Sequence, residues 1–281
     1  MRHTKELNLI SVINQELESN SLELPTLPIV AKNVREALSY SPYISAWEIA
    51  DIVSTDPAIT IYLLKVANSP LYSSKNRKVS GIKQAISILG NARTVSLITT
   101  YSIKQIFSAS SAAYNKFFDA TLQHSLSVAA LSRGMALFSQ NLDPDKAMLA
   151  GLIHQVGKLP ILKFLNNAKI HLSEVETNDL LEKAHPYIGQ LILQNWEFPD
   201  ELANVPAEYL HFDRNNCSEA DYADVVTTAY LQECVNSSHP HGNIDWSKVP
   251  AFNKLGLSSE FSELMSDELI REINNAHTTF M

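Results

Sequence analysis

The sequence predicts an all-α protein built of two closely packed helical halves, and three observations carry that expectation. Apolar residues recur three and four positions apart along most of the chain, and strand-like alternation is nearly absent. Helix start signals are frequent. Ser45-Ala-Trp-Glu48 has the order of a capping box, and Asp56-Pro57 and Asp143-Pro144 each set an aspartate cap before a proline in the first turn. Only 8 glycines stand against 12 prolines in 281 residues, a length that can bury a sizeable core.

An amphipathic helix over residues 5–19, with Leu9, Val12, Ile13 and Leu17 on one side, opens the chain as an appendage. Leu24-Pro25-Thr26-Leu27-Pro28 then stiffens the entry to a helix that runs to about Tyr40, because proline fixes φ. Ser45 starts a helix buried through Ile49, Ile52 and Val53, and Asp56 starts one through Ile61, Leu64 and Val66 to Asn68. After a polar loop over 73–78, Ile82, Ala85, Ile86 and Leu89 have the spacing of a core-facing helix that stops at Gly90. Asn91 caps the next one, through Val95, Leu97, Ile98 and Tyr101.

The small, polar run 108–113 is the expected joint between the halves. A long helix from about Phe117 to Leu137 follows and carries His124. Asp143 caps a helix through Met148, Leu149, Leu152 and Ile153 into His154, and Gly157 and Pro160 mark its end. His185-Pro186 starts a helix to Trp196, Phe198-Pro199-Asp200 opens another, and Ser218 caps one through Val225, Val226 and Leu231. Residues 236–258 read as loop, and Phe261, Leu264, Met265 and Leu269 form a last amphipathic helix. The expected organisation is an N-terminal extension 1–21, a body 22–235 with halves 22–108 and 114–235, and a C-terminal loop and helix 236–281.

Composition narrows the function classes. The chain has 22 Lys and Arg against 30 Asp and Glu, a net charge of −8, which argues against a broad nucleic-acid surface. Cys217 and Cys234 are too far apart for a CxxC zinc box and too few for a disulfide framework, as in a reducing compartment. No stretch approaches the roughly 18 apolar residues of a membrane span, so the expected location is the cytoplasm. Neither a phosphate loop nor a dinucleotide fingerprint is present.

The chemistry-bearing stretch is Gly151-Leu-Ile-His154-Gln155-Val-Gly157-Lys158-Leu159. A histidine followed by an acid at the end of an apolar helix holds two metal ligands side by side. Here the second residue is an amide, whose neutral oxygen brings no charge to offset a divalent cation.

Several further segments give the chain a familiar order. Leu24-Pro25-Thr-Leu-Pro28, Asp56-Pro57-Ala-Ile-Thr, Val66-Ala67-Asn68-Ser69, Val79-Ser80-Gly-Ile82-Lys-Gln-Ala85-Ile86 and Leu89-Gly90-Asn-Ala-Arg93 resemble the N-terminal half of the HDOD domain. His124-Ser125, the 151–159 stretch, Glu182-x-x-His185, Gly189 and Trp196-Glu-Phe-Pro199 resemble its second half, which is related to the HD superfamily of metal-dependent phosphohydrolases. The resemblance covers roughly residues 22–235.

In catalytic HD proteins a histidine, a His-Asp pair and a distant aspartate hold a metal whose bound water attacks a phosphoester. Carried onto this chain, His124 matches the first histidine and His154 the second, while Gln155 replaces the aspartate. The stretch Thr227-Thr-Ala-Tyr230 has no acid at the distant position, and Asp224 falls about two helical turns early. The resemblance therefore implies a non-catalytic output or scaffolding module of bacterial signalling, with a signalling protein as partner and no cofactor. His124, His154, Gln155, His185 and His211 remain as vestigial ligand positions.

Two rivals stand beside it. A divergent phosphohydrolase would bind Fe, Mn or Ni with Glu182, Asp179 or another acid in place of the lost ligands. A nucleotide receptor would use a cleft of His124, His154 and Gln155 faced by Arg93 or Arg133. For the remaining residues the expected roles are structural: Trp47 and Trp196 as core anchors, His239-Pro-His241 and Lys75-Asn-Arg77-Lys78 as solvated loops. Ser125 is no activated nucleophile, because helix neighbours such as His124 point about 100° apart.

Overall fold

A computed structural model describes residues 2–19, 21–40, 44–72, 78–108, 114–137, 139–235 and 239–257. Its helices are α1 (Arg2–Glu18), α2 (Ile29–Tyr40), α3 (Ala46–Val53), α4 (Pro57–Ala67), α5 (Ile82–Leu89), α6 (Asn91–Ser108) and α7 (Asn115–Ala136). They continue as α8 (Pro144–Ile153), α9 (Lys158–Asn167), α10 (Glu174–Asn195), α11 (Asp200–Ala203), α12 (Val205–Glu208), α13 (Tyr222–Cys234) and α14 (Pro250–Lys254). No strand occurs among the described residues, so the all-α expectation holds.

Local chemistry sets many of the boundaries. The Ser45 hydroxyl accepts from the Glu48 amide at 3.3 Å, and the Glu48 carboxylate accepts from the Ser45 amide at 2.9 Å, which closes both ends of the box. Asp56 accepts from the amides of Ala58 and Ile59, and Asp143 from those of Asp145 and Lys146.

Elsewhere tertiary packing overrides the local signals. Pro186 does not start a helix. It lies inside α10, which begins at a second capping box, Ser173 with Glu176. The backbone bond forgone at Pro186 is offset by burial on both sides of it, at Leu180, Leu181, Ile188 and Ile192. Asp221 rather than Ser218 caps α13, and its box partner is Asp224. Trp196 is buried as expected, but Trp47 is 64% exposed and anchors no core. The expected helix at 5–19 is α1, which packs on α10 and buries Ile13 completely. The joint at 109–113, the loop at 73–77 with Lys75 and Arg77, and the helix from Phe261 onward lie outside the described residues.

The core is continuous across both halves. Two polar devices join them. At one edge Arg35 of α2 donates to the carbonyl oxygens of Trp196 and Glu197, each at 2.7 Å, and stacks over Phe198 at 4.0 Å. The Trp196 indole donates back to the carbonyl of Pro25 at 2.9 Å, so the proline-rich entry segment and the end of α10 are clipped together. At the other, Asp145 in the first turn of α8 accepts from Tyr72 and pairs with Arg93 of α6 and Arg133 of α7.

One helical run, Pro144–Asn167, has the length and apolar composition of a membrane span, but 89% of that window is buried inside the fold, as in a core helix.

Candidate functional site

The site lies where α7, the turn after α8, α10 and α13 meet. Its geometry depends on two glycines. A Cβ on Gly151 would stand 2.7 Å from the Ala129 Cα, so only glycine lets α8 cross α7 this closely. A Cβ on Gly157 would stand 2.1 Å from the carbonyl oxygen of His185, so the start of α9 rests directly on the backbone of α10. These two crossings bring His124, His154 and His185 into one cluster.

His154 is fully buried, and its Nδ1–H donates to the Gly151 carbonyl at 2.6 Å. His185 is also fully buried, and its Nδ1–H donates to Leu181 at 2.8 Å. A carbonyl can only accept, so in the neutral ring each Nε2 carries a lone pair. Tyr209 fills that need for His185, its hydroxyl donating to Nε2 at 2.9 Å. The His124 and His154 rings lie 5.3 Å apart, and the Nε2 of each is buried with no hydrogen-bond partner among the described residues. Burial, and second the Lys158 ammonium, bring the His124 pKa down to about 4 and the His185 pKa to about 3. Burial and the neighbouring His124 hold His154 well below the ordinary imidazole range.

Gln155 is 3% exposed, and its amide reaches the Tyr209 hydroxyl at 3.5 Å, the outer limit of a hydrogen bond. Thr227, in the stretch where the distant acid is missing, donates to the Tyr209 carbonyl at 2.8 Å. Lys158 pairs with Glu182 at 2.6 Å. Burial raises the Glu182 pKa, but Lys158 and its hydrogen bond outweigh it and bring the carboxyl to about 2.

Above this floor opens a cavity of about 900 Å³, walled by Phe117, Phe212 and Tyr230 and rimmed by Asp179, Glu233 and the 239–241 turn.

The expected site residues separate on this geometry. His124, His154, Gln155 and His185 converge. His211 is exposed and stands outside the cluster. Arg93 and Arg133 do not face the cleft, which corrects the receptor reading: both turn to Asp145, whose place in the first turn of α8 gives two guanidiniums a shared carboxylate. The 239–241 loop is also corrected. His239 and His241 line the cavity, and the Tyr230 hydroxyl bonds to His241 Nδ1 at 2.9 Å. Lys158, Tyr209 and Tyr230 gave no usable signal in the sequence, because their roles depend on which helices cross.

The donor set does not fit the metal of the HD superfamily. Among the described residues no three His, Cys, Asp or Glu side chains converge as ligands. Glu182 is held by Lys158, His185 by Tyr209, and Asp224 by Arg214 and Lys254 at 3.0 and 3.1 Å. The remaining pair of imidazoles brings no negative charge.

The chain is an all-helical protein with histidines of α7, of the turn after α8 and of α10 gathered under a cleft. More narrowly, the HDOD domain matches residues 24–211, and the chain belongs to the HDOD domain family. Three solved structures share the fold. A Shewanella amazonensis SB2B protein, named provisionally as a metal-dependent phosphohydrolase, is 24% identical with a TM-score of 0.85, over 99% of this chain and 100% of that one. An HDOD domain protein of unknown function from Geobacter sulfurreducens is 22% identical with a TM-score of 0.68, over 99% of each chain. A Marinobacter aquaeolei VT8 protein, named provisionally as a signal transduction protein, is 18% identical with a TM-score of 0.64, over 100% of this chain and 66% of that one. No curated protein matches the sequence.

Proposed function

We propose that the chain is a cytoplasmic HDOD output or scaffolding module of bacterial signalling that works by binding and not by hydrolysis. The observation that carries this reading is the pair of imidazoles, His124 and His154, whose Nε2 atoms lack a hydrogen-bond partner on a floor where, among the described residues, no three His, Cys, Asp or Glu side chains converge as ligands. A metal-bound water reaches a pKa of about 7 only where the ion is firmly held, and the Glu182 carboxylate at this floor is already paired with Lys158. The cleft is then a cavity for a small ligand, and the exposed helical surface meets a signalling protein. Asp179, Glu182 and Glu233 outnumber Lys158 and Lys183 around it, which disfavours a multiply charged phosphate ligand.

The rival phosphohydrolase needs an acid to stand in for the lost ligands. Glu182, one helical turn from His185, is the nearest in sequence, and Lys158 already claims it.

Metal analysis of protein purified without chelator, with a phosphodiesterase assay on the same sample, tests the proposal. The expected result is fewer than about 0.1 transition-metal ions per chain and no turnover. Stoichiometric Fe, Mn or Ni with turnover overturns it.

A further inference from the structure

Two substituted positions and one retained histidine meet on a single buried phenol. Tyr209 is fully buried. Its hydroxyl occupies the Nε2 lone pair of His185 and lies within reach of the Gln155 amide, and its carbonyl is fixed by Thr227. Its ring stands edge-on to His154, centroids 4.8 Å apart at 89°, and edge-on to Tyr230 at 5.2 Å and 80°. Tyr230 in turn meets the His124 ring at 5.6 Å and 88°. Each of the two imidazoles is therefore packed against a tyrosine ring in a near-perpendicular geometry that aromatic pairs favour, and His154 is also held by the Gly151 carbonyl.

We propose that Tyr209 is the residue that closes this centre to metal, so that restoring the missing carboxylate at position 155 does not by itself rebuild an ion site. The inference rests on the non-catalytic reading and adds a cause to it. A ligand must present a lone pair to the ion, and the phenol consumes that of His185. An ion also needs space beside the imidazoles, and the Tyr209 and Tyr230 rings packed on them take up part of it. Gln155→Asp alone adds a charged donor to a site that still lacks the His185 lone pair and the room. Thr227 acts as a positioning residue, because its hydroxyl bond to the 209 carbonyl fixes the backbone from which the ring projects.

The test compares wild type, Gln155→Asp and Gln155→Asp/Tyr209→Leu, each dialysed against manganese(II) or nickel(II) and assayed for bound metal per chain, with circular dichroism to confirm the fold. Gln155→Asp is expected to remain essentially empty, and the double variant to take up at least about tenfold more metal, the scale on which supporting residues change metal affinity. Full loading of Gln155→Asp alone overturns the proposal, as does a folded double variant that stays empty. Should the leucine variant fail to fold, Gln155→Asp/Tyr209→Met, which also removes both the hydroxyl and the ring and fills the gap with a flexible side chain, replaces it. Uptake about tenfold above Gln155→Asp then supports the assignment, and equal uptake overturns it. A metal-loaded wild type would instead defeat the non-catalytic reading itself. An empty wild type with a loaded Gln155→Asp would defeat only the role given to Tyr209.

Discussion

Acidification from about pH 7 to about pH 5 should remove a large part of the folding free energy, and the loss should come from the histidine floor. His154 and His185 are fully buried, and both are held below the ordinary imidazole value of 6.5, His185 at about 3. The groups facing them are His124, Lys158, Glu182, Tyr209 and Tyr230. A depressed pKa means that the unfolded chain binds the proton first. The stabilisation is therefore complete above 6.5 and is lost as pH falls toward the folded values.

Between about pH 7 and about pH 5 an unfolded histidine gains most of a proton that the native ring does not. Integrating that difference gives about 2 kcal/mol each for His124, at about 4, and His185, at about 3, or about 4 kcal/mol for the two, and His154, held well below 6.5, adds to it. Glu182 does not contribute in this window. Its folded pKa of about 2 lies below the ordinary carboxyl value of 4.5, so its contribution is lost only as pH falls from 4.5 toward 2. Urea unfolding at constant ionic strength measures the loss, and His154→Gln should reduce it by about a third, since His124 and His185 remain. A wild-type loss under about 1 kcal/mol, or an unchanged pH slope in a folded His154→Gln variant, refutes the assignment of neutral buried rings.

Three further predictions concern the frame. Gly157→Ala should cost about 3 kcal/mol or more in urea unfolding, because its Cβ would meet backbone at 2.1 Å from His185 and 2.6 Å from Gly189, and neither atom can swing aside. A near-zero change would show that α9 and α10 do not approach this closely. Asp145→Asn should cost about 3 kcal/mol, since Arg133, 8% exposed, would keep its charge beside a neutral amide; a loss below about 1 kcal/mol contradicts the shared clamp. Glu182→Gln should likewise destabilise the protein by about 3 kcal/mol through the buried Lys158, read by the same unfolding measurement. Its failure to do so would mean that the lysine finds another partner.

Helix existence was legible in the sequence wherever a cap and a buried stripe agreed, as at Ser45, Asp56 and Asp143. It was misread where a local breaker competed with long-range burial. Pro186 has the form of a helix start, yet the apolar residues on either side pack into one core, and α10 runs through it. The site was half legible for a related reason. His124, His154 and Gln155 are fixed by sequence order, whereas Tyr209 reaches them only because α12 sits between α10 and α13. Arg93 and Arg133 were misplaced because a helix stripe does not say which neighbour a charged edge will find. Asp145 was that neighbour, and at 3% exposure it is too buried to be left unpaired. The 239–241 loop has loop composition, and it lines the cavity because Gly242, whose Cβ would stand 2.5 Å from the Cys234 carbonyl, folds it back against α13.

The way the imidazoles are held gives the frame a support that does not depend on an ion. In a metal centre, a carbonyl behind the ring orients the ligand and the ion fixes its front. Here the carbonyls remain, Gly151 behind His154 and Leu181 behind His185, and both are supplied by the same helix as the ring they hold. Tyr209 takes the Nε2 of His185 with one hydroxyl bond, and it and Tyr230 pack against the ring of His154. Each histidine is thus positioned by contacts that exist as soon as the helices cross, and the two glycine crossings need no ligand to form. Removing His185 should then disturb Tyr209 and Thr227 more than any function of the cleft, whereas residues above the floor, such as Phe117 or His241, can change with little effect on the fold. Selection on a bound ligand would act on that upper shell, and it is there that binding variants should be sought.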